Sequence, residues 1–485
     1  MEDCYGDVNC GNQSHERTIM ATSMDTESHH CDMGVVFGQD GVQQTSKFTY
    51  HQKITFVSVL LATFAIRLSF SIIAVFFPSE AKAKGMSHTV TGLVFSTFST
   101  AAVIGAPIWG KILPLVGARF VFLAGAFVTG SCDILFGLMV DMPTEATFTA
   151  FCFVIRIMEG LGSSACITAS SAILAYIFPD DIGTAMSINE MMSGLSFAIG
   201  PAIGGLLFEV GGFKLPFFVL GGFTLLSVAV NYMLMPQQGT GDERSGSVVQ
   251  MLSVPAVLVA LFAMIVCFIG MSCLDPTLSL HLEKLHFTTL ENSFVFVTLG
   301  VTYSVTSVVW GRVADKLKTT RFMTVIATFG AGVCFLLLGP SPLLKIPSSK
   351  LIPWLVTPFC ASFLSLIAVS ALLDMFISAE WNGIAIDLGA TGVISGLWSS
   401  ALSLGSMIGP LLGGFLTDLL GFAYAFTAIA GGYIVTMIAI CLFGVWEYRC
   451  GKGRRKKKQR LVLETGTQDE RALLMSSNQS CAWRE

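Results

Sequence analysis

Among the side chains that carry charge or a phenol inside apolar stretches are Asp133, Arg156, Glu159, Glu190, Asp275, Tyr303 and Asp374. A charged group in hydrocarbon costs at least about 2.5–3.5 kcal/mol, so an acid kept there points first to binding or proton transfer. A carboxylate in such a place can hold a proton or a cation, but not both well. Competition of that kind is the chemistry a cation–proton exchanger needs. Arg156 and Glu159 stand at i, i+3 and share a helix face. The arginine either tunes nearby acids or forms a local pair. Asp275 precedes Pro276, which loosens a helix and frees a carbonyl; the acid is a ligand or a cap near a helix end. Asp374, in SALLDMF, sits late in its apolar run, as a ligand or as a residue of the mouth. Glu190 lies near the cytosolic start of its run, where it could guard an entrance, and Asp133 either carries protons or faces a polar seam. Tyr303 either stacks on an ammonium or packs.

The elements that must position these groups are membrane helices. The chain has 485 residues, 53% apolar and 12% charged, against about 25% charged in soluble domains. A spanning helix needs about 20 largely apolar residues. Twelve stretches qualify: 54–77, 89–110, 120–140, 149–177, 183–209, 215–235, 252–281, 292–311, 322–340, 351–377, 391–417 and 424–446. The longest polar break, QQGTGDERSGSVVQ, follows the sixth. The expected layout is a tail over 1–50, a six-helix unit over 51–236, a loop over 237–250, a second unit over 251–448 and a tail over 449–485. The inner loops hold Lys111, Arg119, Arg312, Lys316, Lys318, Arg321 and RRKKK at 454–458. The positive-inside rule therefore puts both tails in the cytosol. Asn12 and Asn478, each in a glycosylation sequon, are then expected to stay unmodified.

A repeat organises the chain. GPAIGGLLFEVGGF at 200–213 returns as GPLLGGFLTDLLGF at 409–422, and Trp109-Gly110 returns as Trp310-Gly311. The fold class expected is all-α membrane, twelve helices in two pseudo-symmetric six-helix bundles, the plan of many transporters. Small residues at helical spacing let helices approach closely. Gly200, Pro201, Gly204 and Gly205, with Gly409, Pro410, Gly413 and Gly414, are expected to form tight bent seams that shape the gate.

GRVADK at 311–316 resembles the loop motif of the major facilitator superfamily. RIMEGLG at 156–162 resembles its fourth-helix motif, and the Gly-Pro-x-x-Gly-Gly phrase the motif of its proton antiporters. RIMEGLGSSACITASSAILAYIFPDD and LDPTLSLHL are similar to the vesicular amine transporters; FFPSEAKAKG, SLHLEKL and PFFVLG bring the chain nearest to their vesicular polyamine branch. The resemblance implies a proton-coupled antiporter loading polyamines or related organic cations into acidic vesicles. It implies a substrate acid at Asp275, a functional acid near Asp374, the helix-4 arginine at Arg156 and a gate tyrosine at Tyr303. It makes Gly110, Arg119, Gly311, Asp315, Lys316 and Arg321 the gating positions of the cytosolic loops. Asp275, Glu190 and Asp374 would form a ladder of acids for a ligand with several ammonium groups, between aromatic walls.

The chain departs from this pattern in places. The monoamine transporters' helix-1 Asp-Asn pair aligns with Ile66-Arg67, their helix-11 acid with Ser399, and the first loop motif has Pro114 for Asp. Arg67 either serves an anionic substrate or forms a salt bridge, for example with Asp133. A broader drug, monoamine or organic-anion carrier therefore stays open, as does a receptor or scaffold on the same fold.

The net charge of -4 gives nucleic acid no reason to bind. Without a phosphate loop, a metal-ligand cluster or a Ser/His/Asp set, the sequence is not that of an enzyme. No cofactor or metal is expected; the proton gradient is the energy source. The expected partners are the organic cation, protons and the bilayer, with the protein a monomer. Most of the 13 cysteines sit in apolar runs as small packing residues, and Cys450 is a palmitoylation candidate. DERALL at 469–474 reads as an acidic dileucine signal, in which Asp469, Leu473 and Leu474 would bind a coat adaptor.

Overall fold

The computed structural model describes residues 50–178, 181–235, 247–317, 319–341, 344 and 349–450. The tail residues of the sorting signal, the basic run and the sequons lie outside them. Twelve long helices carry the chain. They are α1 (Tyr50–Ala83), α2 (His88–Val116), α3 (Ala118–Leu138), α4 (Glu145–Ile177), α5 (Ile182–Gly211) and α6 (Lys214–Leu234), then α7 (Pro255–Lys284), α8 (Thr289–Leu317), α9 (Thr320–Leu338), α10 (Leu351–Trp381), α11 (Leu388–Leu420) and α12 (Phe422–Cys450). A one-turn helix, Val248–Leu252, starts within the last residues of the expected central loop. No strand occurs among the described residues.

In hydrocarbon every backbone polar group must be satisfied internally, which leaves helices as the solution for apolar runs of this length. Several helices outrun the expected spans, α1 by four residues at its start and six at its end. Hydrophobicity marks the bilayer-crossing part, whereas hydrogen bonding continues into polar turns. Eleven helices pass as single spans, and α5 is the twelfth, bent by 43° between Ile182–Gly200 and Ala202–Gly211. Position 201, a proline that cannot donate a backbone N–H to the helix, stands at that bend. Gly117 and Gly421 join α2 to α3 and α11 to α12 as one-residue links at φ 93° and 84°. Glycine alone adopts this backbone without steric cost.

The packing repeats. α1 lies on α5 and α6 as α7 lies on α11 and α12. α2 and α3 lie on α4 as α8 and α9 lie on α10, and α3 meets α6 as α9 meets α12. Trp109 donates its indole N–H to the Leu161 carbonyl of α4 at 3.1 Å, and Trp310 to the Ser362 hydroxyl of α10 at the same distance. The halves meet along two equivalent seams, α2 with α11 and α5 with α8.

The glycine-rich phrases pack within each half rather than between halves. A methyl on Gly200 would press into Ser71 of α1, 2.9 Å from its Cβ. One on Gly409 would stand 2.9 Å from the Cβ of Ser272 on α7. Gly205 and Gly414 face open space, with nothing within 4 Å of an added methyl. The expected seam is therefore made by Gly200 in the first phrase and by Gly409 and Gly413 in the second, where a methyl on Gly413 would stand 3.2 Å from the Cβ of Cys273 on α7.

Candidate substrate cavity and buried charge network

The end of the bundle that carries Arg119, Asp315 and Arg321 is shut. In the α2/α11 seam, Gly110 lies against the Gly392 carbonyl, and a methyl there would be 3.3 Å from the Gly396 Cα. Gly311 lies equally close to Ser187 in the α5/α8 seam. Asp315 closes this second seam. Its carboxylate accepts from the backbone N–H groups of Gly183 at 2.9 Å and Thr184 at 2.7 Å, and from the Thr184 hydroxyl at 2.6 Å. It caps the N-terminus of α5 from the other half, where free N–H groups and the helix dipole favour negative charge. At the equivalent end of α11 the helix caps itself, with Asp387 accepting from the Ala390 N–H at 2.7 Å. The lock is thus asymmetric, in keeping with Pro114 in place of the first-loop acid.

Asp315→Asn places an amide N–H where one donor now points. The expected result is a several-fold lower transport rate with unchanged preference among substrates, measured as uptake ratios in liposomes. An unchanged rate would exclude the cap as part of the gate.

Arg119 and Arg321, expected as gating positions, make their contacts within their own halves. Arg119 donates to the Tyr232 carbonyl and lies 4.9 Å from the Tyr232 ring. Arg321 lies 5.1 Å from the Phe443 ring and pairs with Glu447 and Asp374. Lys316 is exposed.

Above the shut end lies a cavity of about 460 Å³. It extends from Arg67, Tyr303 and Ser399 toward the opposite end as far as Ser279 and Asn292. Its wall alternates aromatic faces, including Phe70, Phe98, Phe197, Phe268 and Phe296, with hydroxyls. At its floor the two halves are tied by buried polar groups. Arg67 of α1 pairs with Glu190 of α5 at 3.3 Å, and Tyr303 of α8 donates to the same carboxylate at 3.1 Å. The partner of Arg67 is therefore Glu190, not Asp133. The Arg67 positive charge in the wall is answered one residue away.

Behind the wall is a second network. Asp133 of α3, Arg156 and Glu159 of α4 are each 0% exposed. Arg156 binds Glu159 at 2.8 Å, and the Ser69 hydroxyl of α1 contacts both Glu159, at 3.2 Å, and Asp133. The i, i+3 pairing expected from the sequence is formed, yet Arg156 keeps its Nε and Nη2 without hydrogen-bond partners, as does the Asp133 Oδ2. Ser69 is a residue that the sequence reading missed. Its only signal was a small hydroxyl two residues from Arg67, among many serines in these spans.

Asp374 does not join Glu190 in the expected ladder of acids. Asp374 accepts from the Thr320 hydroxyl at 2.7 Å and pairs with Arg321 at 3.3 Å, at the shut end. Its late position in the apolar run places it at the mouth, away from the cavity. Glu190 reaches the cavity only through Tyr303 and Arg67. Asp275 lies in α7, with its side chain outside the described residues.

Residues 59–393 match the sequence profile of the Major Facilitator Superfamily, so the fold and cavity are those of a membrane transporter rather than an enzyme. The chain is 32% identical over 462 residues to the mouse MFS-type transporter SLC18B1, covering 94% of this chain and 100% of that one. It is 33% identical to the human SLC18B1 over 428 residues, 86% of this chain and 92% of the relative. The human synaptic vesicular amine transporter is 25% identical over 380 residues, 76% of this chain and 68% of the relative. The human organic anion transporter MFSD10 (TETRAN) shares the fold, with TM-score 0.64 and 18% identity over 81% of this chain and 100% of that one. The chain belongs to the SLC18 family of the superfamily.

Proposed function

We propose that the protein is a proton-coupled antiporter that moves polyamines such as spermidine and spermine, or related organic cations, from the cytosol into acidic vesicles by alternating access. The observation that carries this reading is the central cavity, where phenylalanine faces and hydroxyls surround a floor whose one arginine is already neutralised by Glu190. Aromatic faces attract ammonium groups, and hydroxyls replace the water those groups give up. An organic anion would find Arg67 committed. Met271, Ser272 and Ser279 line the cavity, and helical spacing puts position 275 on the same stripe of α7. Asp275 is the counter-charge in this reading.

The shut end is the cytosolic one, and the described conformer is the lumen-facing one. Each pH unit supplies about 1.4 kcal/mol per proton. Two units and two protons supply about 5.5 kcal/mol, enough for roughly ten-thousandfold accumulation. The protein acts as a monomer, and Asp469, Leu473 and Leu474 route it through a coat adaptor.

Purified full-length protein in liposomes with an imposed pH gradient tests the reading, using labelled spermidine, a monoamine and an organic anion. Gradient-dependent spermidine uptake, lost in Asp275→Asn, is the expected result. Uptake of the anion in preference to both amines would overturn it.

A further inference from the structure

We propose that Asp133 and Glu159 share one proton through the Ser69 hydroxyl, forming a proton store walled off from the substrate cavity. This deepens the proton-coupled reading and rests on it for its role in transport, though not for its existence.

Hydrogen counting leads to it. Ser69 Oγ lies within hydrogen-bond distance of Asp133 Oδ1 and of Glu159 Oε1, the latter at 3.2 Å. A serine hydroxyl has one hydrogen to give, and ionised carboxylates have none. With both acids ionised, one of the two contacts would bring two oxygens together with no hydrogen between them. One bound proton supplies the missing hydrogen. Charge counting agrees. Two fully buried carboxylates stand beside one cation, Arg156, and an uncompensated buried charge costs several kcal/mol. A single proton leaves one negative and one positive charge.

The unspent valences are a separate observation. Asp133 Oδ2 and the Nε and Nη2 of Arg156 are buried without hydrogen-bond partners. Such groups are costly in a site with one fixed state. They have a use in a site with two. Arg156 lies 4.5 Å from the ring of Phe98, and Phe98 is part of the cavity wall. A cation arriving on that ring repels the guanidinium. Arg156 can then turn its free N–H groups to Asp133 Oδ2, and the acid, now paired, holds its proton less tightly. Substrate and proton exclude one another across the wall, without competing for one carboxylate.

The other groups facing Asp133 do not supply the hydrogen. α6 presents Gly221, the further titratable neighbour is the thiol of Cys132, and the thiol of Cys152 lies by Arg156.

The test is infrared difference spectroscopy of the full-length protein in phosphatidylcholine liposomes, read at the stretch of protonated carboxyl groups. Wild-type protein at neutral pH is expected to show such a band. Asp133→Asn removes it, and so does Glu159→Gln, because either amide supplies the N–H that Ser69 needs. Ser69→Ala, a small change in a helix interior, keeps the band but shifts its frequency as the hydrogen bond is lost. A wild-type protein without the band, a band that survives either amide substitution, or one unmoved by Ser69→Ala would each overturn the shared proton. If the band behaves as stated while spermidine fails to move in liposomes, the store stands and the polyamine antiport reading falls.

Discussion

Glu190→Ala is expected to destabilise the protein by about 3–5 kcal/mol, the cost of leaving a buried charge without its partner. Arg67 is 8% exposed and pairs with Glu190 at 3.3 Å. Truncating the acid leaves a guanidinium that cannot neutralise itself, because arginine does not give up its proton. Tyr303 loses its acceptor in the same step. Removing both charges is a different case. Arg67→Met with Glu190→Gln keeps volume and leaves no ion, so it should recover most of the lost stability. Transport should stay low in the double variant, since the carboxylate to which Tyr303 of the second half donates is gone. Thermal unfolding in detergent and uptake in liposomes separate the two effects. A single variant as stable as wild type, or a double variant no more stable than the single, would rule out the ion pair as the source.

Gly110→Ala is expected to lower transport by about tenfold or more while leaving the protein folded. The added methyl would meet the Gly392 carbonyl and lie 3.3 Å from the Gly396 Cα. Both are backbone atoms, which cannot turn aside as a side chain can. In an alternating-access cycle this seam must open, so the clash would penalise the shut state and not the fold. About 1.4 kcal/mol of bias against that state is a tenfold change in its population. Gly414→Ala is the control, because nothing lies within 4 Å of its added methyl. Equal rates for Gly110→Ala and wild type would remove the α2/α11 seam from the gate.

Much of this arrangement was legible in the chain alone. Twelve apolar runs are twelve helices because hydrocarbon demands both the length and internal hydrogen bonding. The recurrence of Trp109-Gly110 as Trp310-Gly311 marked two equivalent halves, and the structure sets both glycines in the seams between them. Arg156 and Glu159 could be paired by counting, because one helix sets their spacing. The roles of Asp374, Arg67 and Ser69 could not be read in this way. Asp374 looked like part of an acid ladder, and its partners proved to be Thr320 and Arg321 at the shut end. Arg67 met Glu190, 123 positions away, rather than Asp133, and Ser69 met Asp133 and Glu159 on two different helices. The sequence by itself determined the helices, their twofold plan and the Arg156–Glu159 contact within one helical turn, because backbone geometry fixes that distance. Which charges face the cavity and which face each other was decided only in the tertiary structure, where the rotation and axial offset of each helix follow from packing against several others at once.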